Sequence, residues 1–237
     1  MFLKLTAKLT RPLLFVLLSA AFLIAVLIYT EFSATKVPPR FDEIEASYKK
    51  SDAFLLDRHG VVIHEMRVSE KGRRLDWIGL DNISPALVKA VCRVEDRRFF
   101  EHGGVDWPAV LSAALKNPFS SKTRGASTIT MQLASLLDKS IKPKAARRTL
   151  LQKKDQMLAA FALEKTWSKQ QIIEAYLNLI SYRGELQGIA AASRGLFDKD
   201  PSGLNEAESC ILAALITSPN SSIDEITKRA CLAGRTS

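Results

Sequence analysis

The stretch Ser168–Ile180, SKQQIIEAYLNLI, decides the fold class. Ser168 with Gln171 three residues on forms a helix-capping pair, in which each side chain satisfies a backbone amide of the other's residue. Behind it Ile172, Ile173, Tyr176, Leu177 and Ile180 recur at helical spacing and make one apolar stripe. The same signal returns at Asn205 with Glu208, ahead of the apolar run CILAALI. That helix is expected to stop at Ser218-Pro219-Asn220, because the residue before a proline is driven out of helical geometry. Upstream, Ser84-Pro85 places a cap residue before a proline in the first helical position. Asp106-Trp107-Pro108 opens another helix through Leu115.

Ahead of Ser84 the pattern changes. AFLLD and VVIHEMRV flank Arg58-His59-Gly60, a turn containing glycine, so 53–78 reads as a small β-hairpin. No internal repeat or low-complexity tract interrupts the rest. The expected fold is mainly α, with a small N-terminal β-hairpin.

The N-terminus sets the surroundings. Pro12–Thr30 carries no charge over 19 residues, which as a helix spans about 28 Å, enough to cross a bilayer core. It is too long for a secretory signal and apolar on every face, unlike a core helix. Lys4, Lys8 and Arg11 precede it, so the positive-inside rule leaves the N-terminus in the cytoplasm and the remainder outside. The expected organisation is a cytoplasmic N-terminus over 1–11, a single transmembrane anchor over 12–30, a linker over 31–52 stiffened by Pro38-Pro39, and a folded domain over 53–237.

The whole chain of 237 residues is 47% hydrophobic and 25% charged, which excludes a disordered or fibrous protein. Its net charge of +9 leaves +6 after the three N-terminal cations are set aside, so the outer domain is itself basic. A basic domain at a membrane points to lipid headgroups or a lipid-linked phosphate. No zinc spacing, aromatic RNA-binding signature or heptad is present, so no nucleic-acid partner is expected. Three cysteines cannot form a disulfide framework. A Cys210–Cys231 bridge stays open by spacing, against a buried thiol at Cys210, which the apolar helix around it favours.

Four ordered blocks carry the chemistry. Glu95-Asp96-Arg97-Arg98-Phe99-Phe100-Glu101-His102-Gly103-Gly104 fits E-D-x-x-F-x-x-H-x-G. Gly125–Gln132, GASTITMQ, fits G-x-S-T-I-T-x-Q. Lys169–Asn178 fits K-x-x-I-x-x-x-Y-L-N, and Arg183-Gly184 with Gln187–Ala192 makes the last. In this order they resemble the peptidoglycan glycosyltransferases of family 51, the polymerase domain of class A penicillin-binding proteins. Met131 and the block around Gln187 look closest to the penicillin-binding protein 1C branch.

The resemblance implies a lysozyme-like helical domain on the outer face of a bacterial inner membrane. Its substrates would be lipid II and the growing glycan strand, with membrane lipid and cell-wall synthesis proteins as further partners. Forming a β-1,4 bond from a sugar diphosphate needs a base for the acceptor hydroxyl and cations for the departing diphosphate. The family's base maps onto Glu95. A carboxylate beside a like charge and apolar rings is a better base than one in water. Asp96, Phe99, Ser127, Thr128, Gln132, Arg124, Arg148, Lys153, Asn178, Arg183 and Gln187 map onto substrate-binding positions, and His102 onto an orienter of the loop. Trp107, Pro108, Val110, Leu111, Leu115 and Phe119 fall where the family dips into the membrane.

The family's R-K-x-x-E block falls on Gln152-Lys153-Lys154-Asp155-Gln156. Gln156 thus stands for a glutamate seen as acid or positioning group, and can still donate a hydrogen bond. A family lysine falls on Ser135. Lys139, Lys142, Lys144 and Arg147 are candidates to replace it. The family uses Mg2+ or Mn2+ on the diphosphate; no dedicated metal cage is legible, and substrate phosphates complete such sites. Two other readings remain, a lysozyme-like hydrolase and a non-catalytic substrate-binding scaffold. No K-T-G block of a transpeptidase follows, so the chain reads as a monofunctional polymerase or as part of a longer enzyme.

Overall fold

The computed structural model describes residues 37–69, 72–116, 127–138, 141 and 150–234, with isolated positions at 16, 19, 22, 23 and 30. The chain divides into two units, residues 1–37 and residues 38–237. The expected anchor over 12–30 lies outside the described residues apart from those isolated positions. Among the described residues no helix is long and apolar enough to cross a membrane.

In the second unit a short helix α1 (Phe41–Ser47) precedes the hairpin strands β1 (Asp52–Leu56) and β2 (Val62–Arg67). Among the described residues eight α-helices follow: α2 (Pro85–Glu95), α3 (Trp107–Lys116), α4 (Ile129–Leu137), α5 (Leu150–Thr166), α6 (Lys169–Leu179), α7 (Ile189–Phe197), α8 (Glu206–Thr217) and α9 (Ile223–Gly234). The mainly helical architecture with one small antiparallel sheet is as expected.

Ser168 caps α6 through both halves of its pair: its Oγ accepts from the Gln171 amide at 3.2 Å, and its amide donates to Gln171 Oε1 at 2.9 Å. Asn205 and Glu208 cap α8 in the same way. The stripe of α6 becomes the centre of the core, with Ile172, Ile173, Tyr176 and Leu177 wholly buried. Each such aliphatic side chain contributes about 1.5–3 kcal/mol. Helix α6 packs on α4, and α4 on α5; α2 packs on α8, and α8 on α9. These contacts bring the C-terminal ends of α2 and α8 together, where the site forms.

Strands β1 and β2 pair antiparallel, Ala53 opposite Met66 and Leu55 opposite His64. The turn is held by Asp57, whose Oδ1 accepts from the amides of His59 and Val61, both at 2.8 Å. The segment after the hairpin is clamped by α6. Asn178 Oδ1 accepts from the Ile78 amide at 2.9 Å and Nδ2 donates to the Ile78 carbonyl at 2.8 Å. One turn earlier Glu174 accepts from Trp77 Nε1 and the Leu80 amide.

The expected linker over 31–52 differs in its second half. Phe41 packs edge-on against Trp77 and Trp167, at 6.0 and 5.2 Å between ring centres. Trp167 Nε1 donates to the Pro39 carbonyl at 3.0 Å. Ser51 and Asp52 are buried, and Asp52 accepts from Arg73 at 3.1 Å. One aromatic ring between two indoles is enough to fasten a polar segment to the body. All three cysteines are free, so the Cys210–Cys231 bridge is not formed. Cys210 is buried, and burial raises its thiol above its ordinary value.

Candidate functional site

Glu95 ends α2, and its neighbour Asp96 leaves helical geometry at φ −159°, ψ 81°. That break sends the two carboxylates in different directions. Asp96 is buried: Oδ2 accepts from the Ile129 amide at 3.1 Å, and both oxygens meet His102 Nε2, at 2.9 and 3.0 Å. His102 Nδ1 accepts from the Gly104 amide at 3.2 Å. Gly104 has φ +95°, and a Cβ there would lie 2.9 Å from the Ala160 carbonyl oxygen, so the position requires glycine. Asp96 and His102 together tie the loop after α2 to the start of α4.

Glu95 turns the other way. Its Oε2 accepts from Gln132 Nε2 at 2.7 Å, and its Oε1 from Thr217 Oγ1 at 2.5 Å. Gln132 Oε1 in turn accepts from the Tyr176 hydroxyl at 3.0 Å. Four helices, α2, α4, α6 and α8, therefore converge on one carboxylate.

It opens onto a cleft of about 680 Å³. Four arginines, Arg93, Arg97, Arg98 and Arg229, line the cleft with Glu95, Asp106, Ser127, Gln132 and Thr217. Arg98 pairs with Asp106, and Arg229 donates to Glu225 and to Ser218. Arg97 is exposed and makes no hydrogen bond or ion pair among the described residues. The like charge and rings expected beside Glu95 are turned away from it, Asp96 and Phe99 being buried, and guanidinium groups stand near it instead, which can hold an anionic group beside it.

Asp106 caps α3, its Oδ1 accepting from the Ala109 amide at 2.9 Å. Burial opposes its ionisation, but the Ala109 amide, the Arg98 guanidinium and the nearby His102 outweigh it and hold the carboxyl below its ordinary value. Its stabilising contribution is therefore present above the unfolded carboxylate range, near pH 4, and is lost as the pH falls through the lower folded value. Asp106→Ala is expected to cost about 0.5–2 kcal/mol, read as a lower denaturant midpoint at neutral pH, with the difference shrinking in acid.

The carboxylates facing the cleft are all engaged by protein donors: Glu95 by Gln132 and Thr217, Asp96 by Ile129 and His102, Asp106 by Ala109 and Arg98. That donor set does not fit a protein-held divalent cation, which needs several free oxygens. Among the described residues no group of three or more His, Cys, Asp or Glu side chains is arranged to hold a metal.

The other sequence candidates divide. Ser127 and Gln132 line the cleft beside Glu95. Thr128 sits at its floor but is buried and fully used, capping α4 through the Met131 amide and donating to the Gly104 carbonyl at 2.6 Å. Phe99 is wholly buried, with Lys169 Nζ 4.4 Å from its ring centre, and so packs the core rather than a sugar. Asn178 is wholly buried in the clamp on Ile78. Arg183 donates to the Ser221 carbonyl, and Gln187 accepts from Arg74; neither lines the cleft. Lys153 is half-buried on α5. Arg124 and Arg148 lie outside the described residues, as do Lys139, Lys142, Lys144, Arg147 and Phe119. Thr217, Arg93 and Arg229 went unread in the sequence. Arg93 flanks Glu95 and could have been found from that spacing; Thr217 and Arg229 carry no local signal.

Residues 59–235 match the family model for transglycosylases. The chain belongs to the transglycosylase family. This transglycosylase domain is 39% identical over 144 residues to a biosynthetic peptidoglycan transglycosylase of Mannheimia succiniciproducens, covering 61% of this chain and 57% of the relative. It is 40% identical over 143 residues to a protein of the same name from Rhodospirillum centenum, with 60% of each chain covered. With one from Thiobacillus denitrificans it shares 34% over 171 residues, 72% of this chain and 71% of the relative. The chain thus spans under two thirds of the length of the first two.

Of the three departures from the family pattern, Gln152 in place of an arginine, Gln156 and Ser135, the last two touch within this transglycosylase domain. Gln156 is wholly buried between α4 and α5, donating to Ser135 Oγ and, at 3.4 Å, to the Met131 carbonyl. It does not line the cleft: the hydrogen bond that the sequence leaves Gln156 able to donate is given to Ser135 inside the fold.

Proposed function

We propose that this domain polymerises lipid II, joining the disaccharide units of peptidoglycan by β-1,4 bonds with loss of the undecaprenyl diphosphate. Family membership supports the reaction class. The observation that carries the residue assignment is Glu95, held by Gln132 and Thr217 at the mouth of a cleft lined by four arginines.

Glu95 takes the proton from the acceptor's sugar hydroxyl as that oxygen attacks the donor sugar. The arginines, Arg97 foremost, stabilise the charge gathering on the departing diphosphate. A diphosphate so neutralised needs no proton, which suits a site where Gln156 is turned into the core. A divalent cation, Mg2+ or Mn2+, would arrive as part of the substrate, on its diphosphate.

The apolar stripe of α3 supports a membrane-bound substrate. Trp107, Leu111 and Leu115 lie at i, i+4 and i+8 and are 55%, 62% and 65% exposed, with Phe100 at 59%. An anchor over 12–30 ahead of the domain would tether it to a bacterial inner membrane.

The test is polymerisation of labelled lipid II by the detergent-solubilised protein in the presence of Mg2+. A ladder of glycan products is expected. Binding of lipid II with no product would overturn the enzyme reading in favour of a binding scaffold.

A further inference from the structure

The two oxygens of Glu95 are not equivalent. Oε2 meets Gln132, whose amide orientation is set from behind by Tyr176. Tyr176 is wholly buried, and burial, then the charge of Glu95, then Tyr182 and Asp96, push its phenol well above the ordinary value. It therefore stays a donor, and Gln132 presents its NH2 to the carboxylate. The reversed amide would set two acceptor oxygens against each other. Oε2 thus faces a group that can only donate.

Oε1 faces a hydroxyl. Thr217 Oγ1 lies 2.5 Å from Oε1 and 3.4 Å from the carbonyl of Ala213, one turn back in α8. A threonine hydroxyl has one proton to give and lone pairs to accept with, and it rotates to suit.

We propose that Thr217 is a positioning residue for the base, and that it makes Oε1 the oxygen on which the proton is received. The inference rests on the reading of Glu95 as general base. While Glu95 is ionised, Thr217 donates to Oε1. As the acceptor oxygen bonds to the donor sugar's anomeric carbon, that carbon's bond to the diphosphate breaks, the bonding pair leaves with the undecaprenyl diphosphate, and the acceptor's hydroxyl proton passes to Oε1. Thr217 then turns its own proton to the Ala213 carbonyl and accepts from the protonated Oε1. It neither gains nor loses a proton. Both protonation states of Glu95 stay satisfied, which a fixed donor such as Gln132 cannot achieve.

The charged groups around the carboxylate are Arg93, Asp96, Arg97 and Arg98 on α2 and the turn after it, Asp106 ahead of α3, and Arg229 on α9, with Tyr176 behind it on α6. A change at Thr217 leaves all of them in place.

The experiment compares Thr217→Val, which keeps the branched shape, with Thr217→Ser, which keeps the hydroxyl, in the lipid II polymerisation assay across pH. Thr217→Val is expected to lower kcat about ten- to a hundredfold, with KM within about twofold. The acidic limb of its rate profile should move to higher pH, since a donor to the carboxylate has gone. Thr217→Ser should stay within about threefold of wild type. A Val variant with wild-type kcat and an unmoved acidic limb would overturn the proposal. So would a Ser variant as impaired as the Val variant, since shape alone would then explain the loss. Glu95→Gln, run alongside, separates the failures: if it still polymerises, the base assignment itself is wrong.

Discussion

Glu95→Gln is expected to reduce polymerisation of lipid II by about 10²–10⁴-fold, the range for loss of a general base, while lipid II binding stays close to wild type. The substituted amide has the shape of the carboxylate. Its oxygen can accept from Gln132, and its NH2 can donate to Thr217 Oγ1, which has the Ala213 carbonyl, 3.4 Å away, as an outlet for its own proton. The local geometry therefore survives. The arginines that would hold the diphosphate are untouched, so binding by charge persists. What is lost is the ability to accept a proton from the acceptor hydroxyl. A fluorescent lipid II titration beside the polymerisation assay reads the two separately. Equal loss of binding and turnover would instead place Glu95 in substrate binding. Retained turnover would leave the cleft without its base.

The helices were legible because their caps are local. Ser168 with Gln171 and Asn205 with Glu208 are three residues apart, and each pair closes as its spacing dictates. The hairpin was legible for the same reason, as two short apolar runs flanking a glycine-containing turn. The direction in which polar side chains face was not. Asp96 and Glu95 are adjacent in sequence, and only the break in α2 after Glu95 turns one inward and the other to the cleft. Asn178 reads as a motif residue, yet its partner is the backbone of Ile78, one hundred residues away. Thr217 is 122 residues from Glu95 and belongs to no block, so nothing but the packing of α2 on α8 could reveal it.

Ser135 and Gln156 make the same point in another way. In sequence they read as two separate losses, a missing cation and a missing acid. In the fold they are neighbours on α4 and α5 and bond to each other. A single charge left there without its partner would cost about 3–5 kcal/mol. Two neutral side chains that bond to each other carry no such cost, and neither of them lines the cleft around Glu95.

Gly188→Ala is expected to destabilise the domain by about 3–5 kcal/mol, summing backbone strain and steric overlap. Gly188 precedes α7 with φ +82° and ψ 155°, a region nearly closed to residues with a Cβ. A Cβ built there would lie 2.6 Å from the Asn178 carbonyl oxygen and 3.1 Å from the Tyr48 hydroxyl. The first is backbone at the end of α6, where Asn178 is already fixed by its clamp on Ile78, so it cannot yield without disturbing the hairpin side of the fold. Moving Gly188 instead would strain its amide bond to the Ile180 carbonyl, now 2.9 Å. For a body of about 200 residues, such a loss lowers the thermal midpoint by roughly 10 °C. Gly184→Ala supplies the comparison. Gly184 also has positive φ, +58°, but a Cβ there meets nothing within 4 Å. Only the conformational cost applies, about 1–2 kcal/mol. Thermal unfolding of the two variants side by side separates the terms. Equal midpoints would mean that the turn before α7 relaxes away from Asn178, and that the close approach of α6 and α7 contributes nothing beyond its backbone angles.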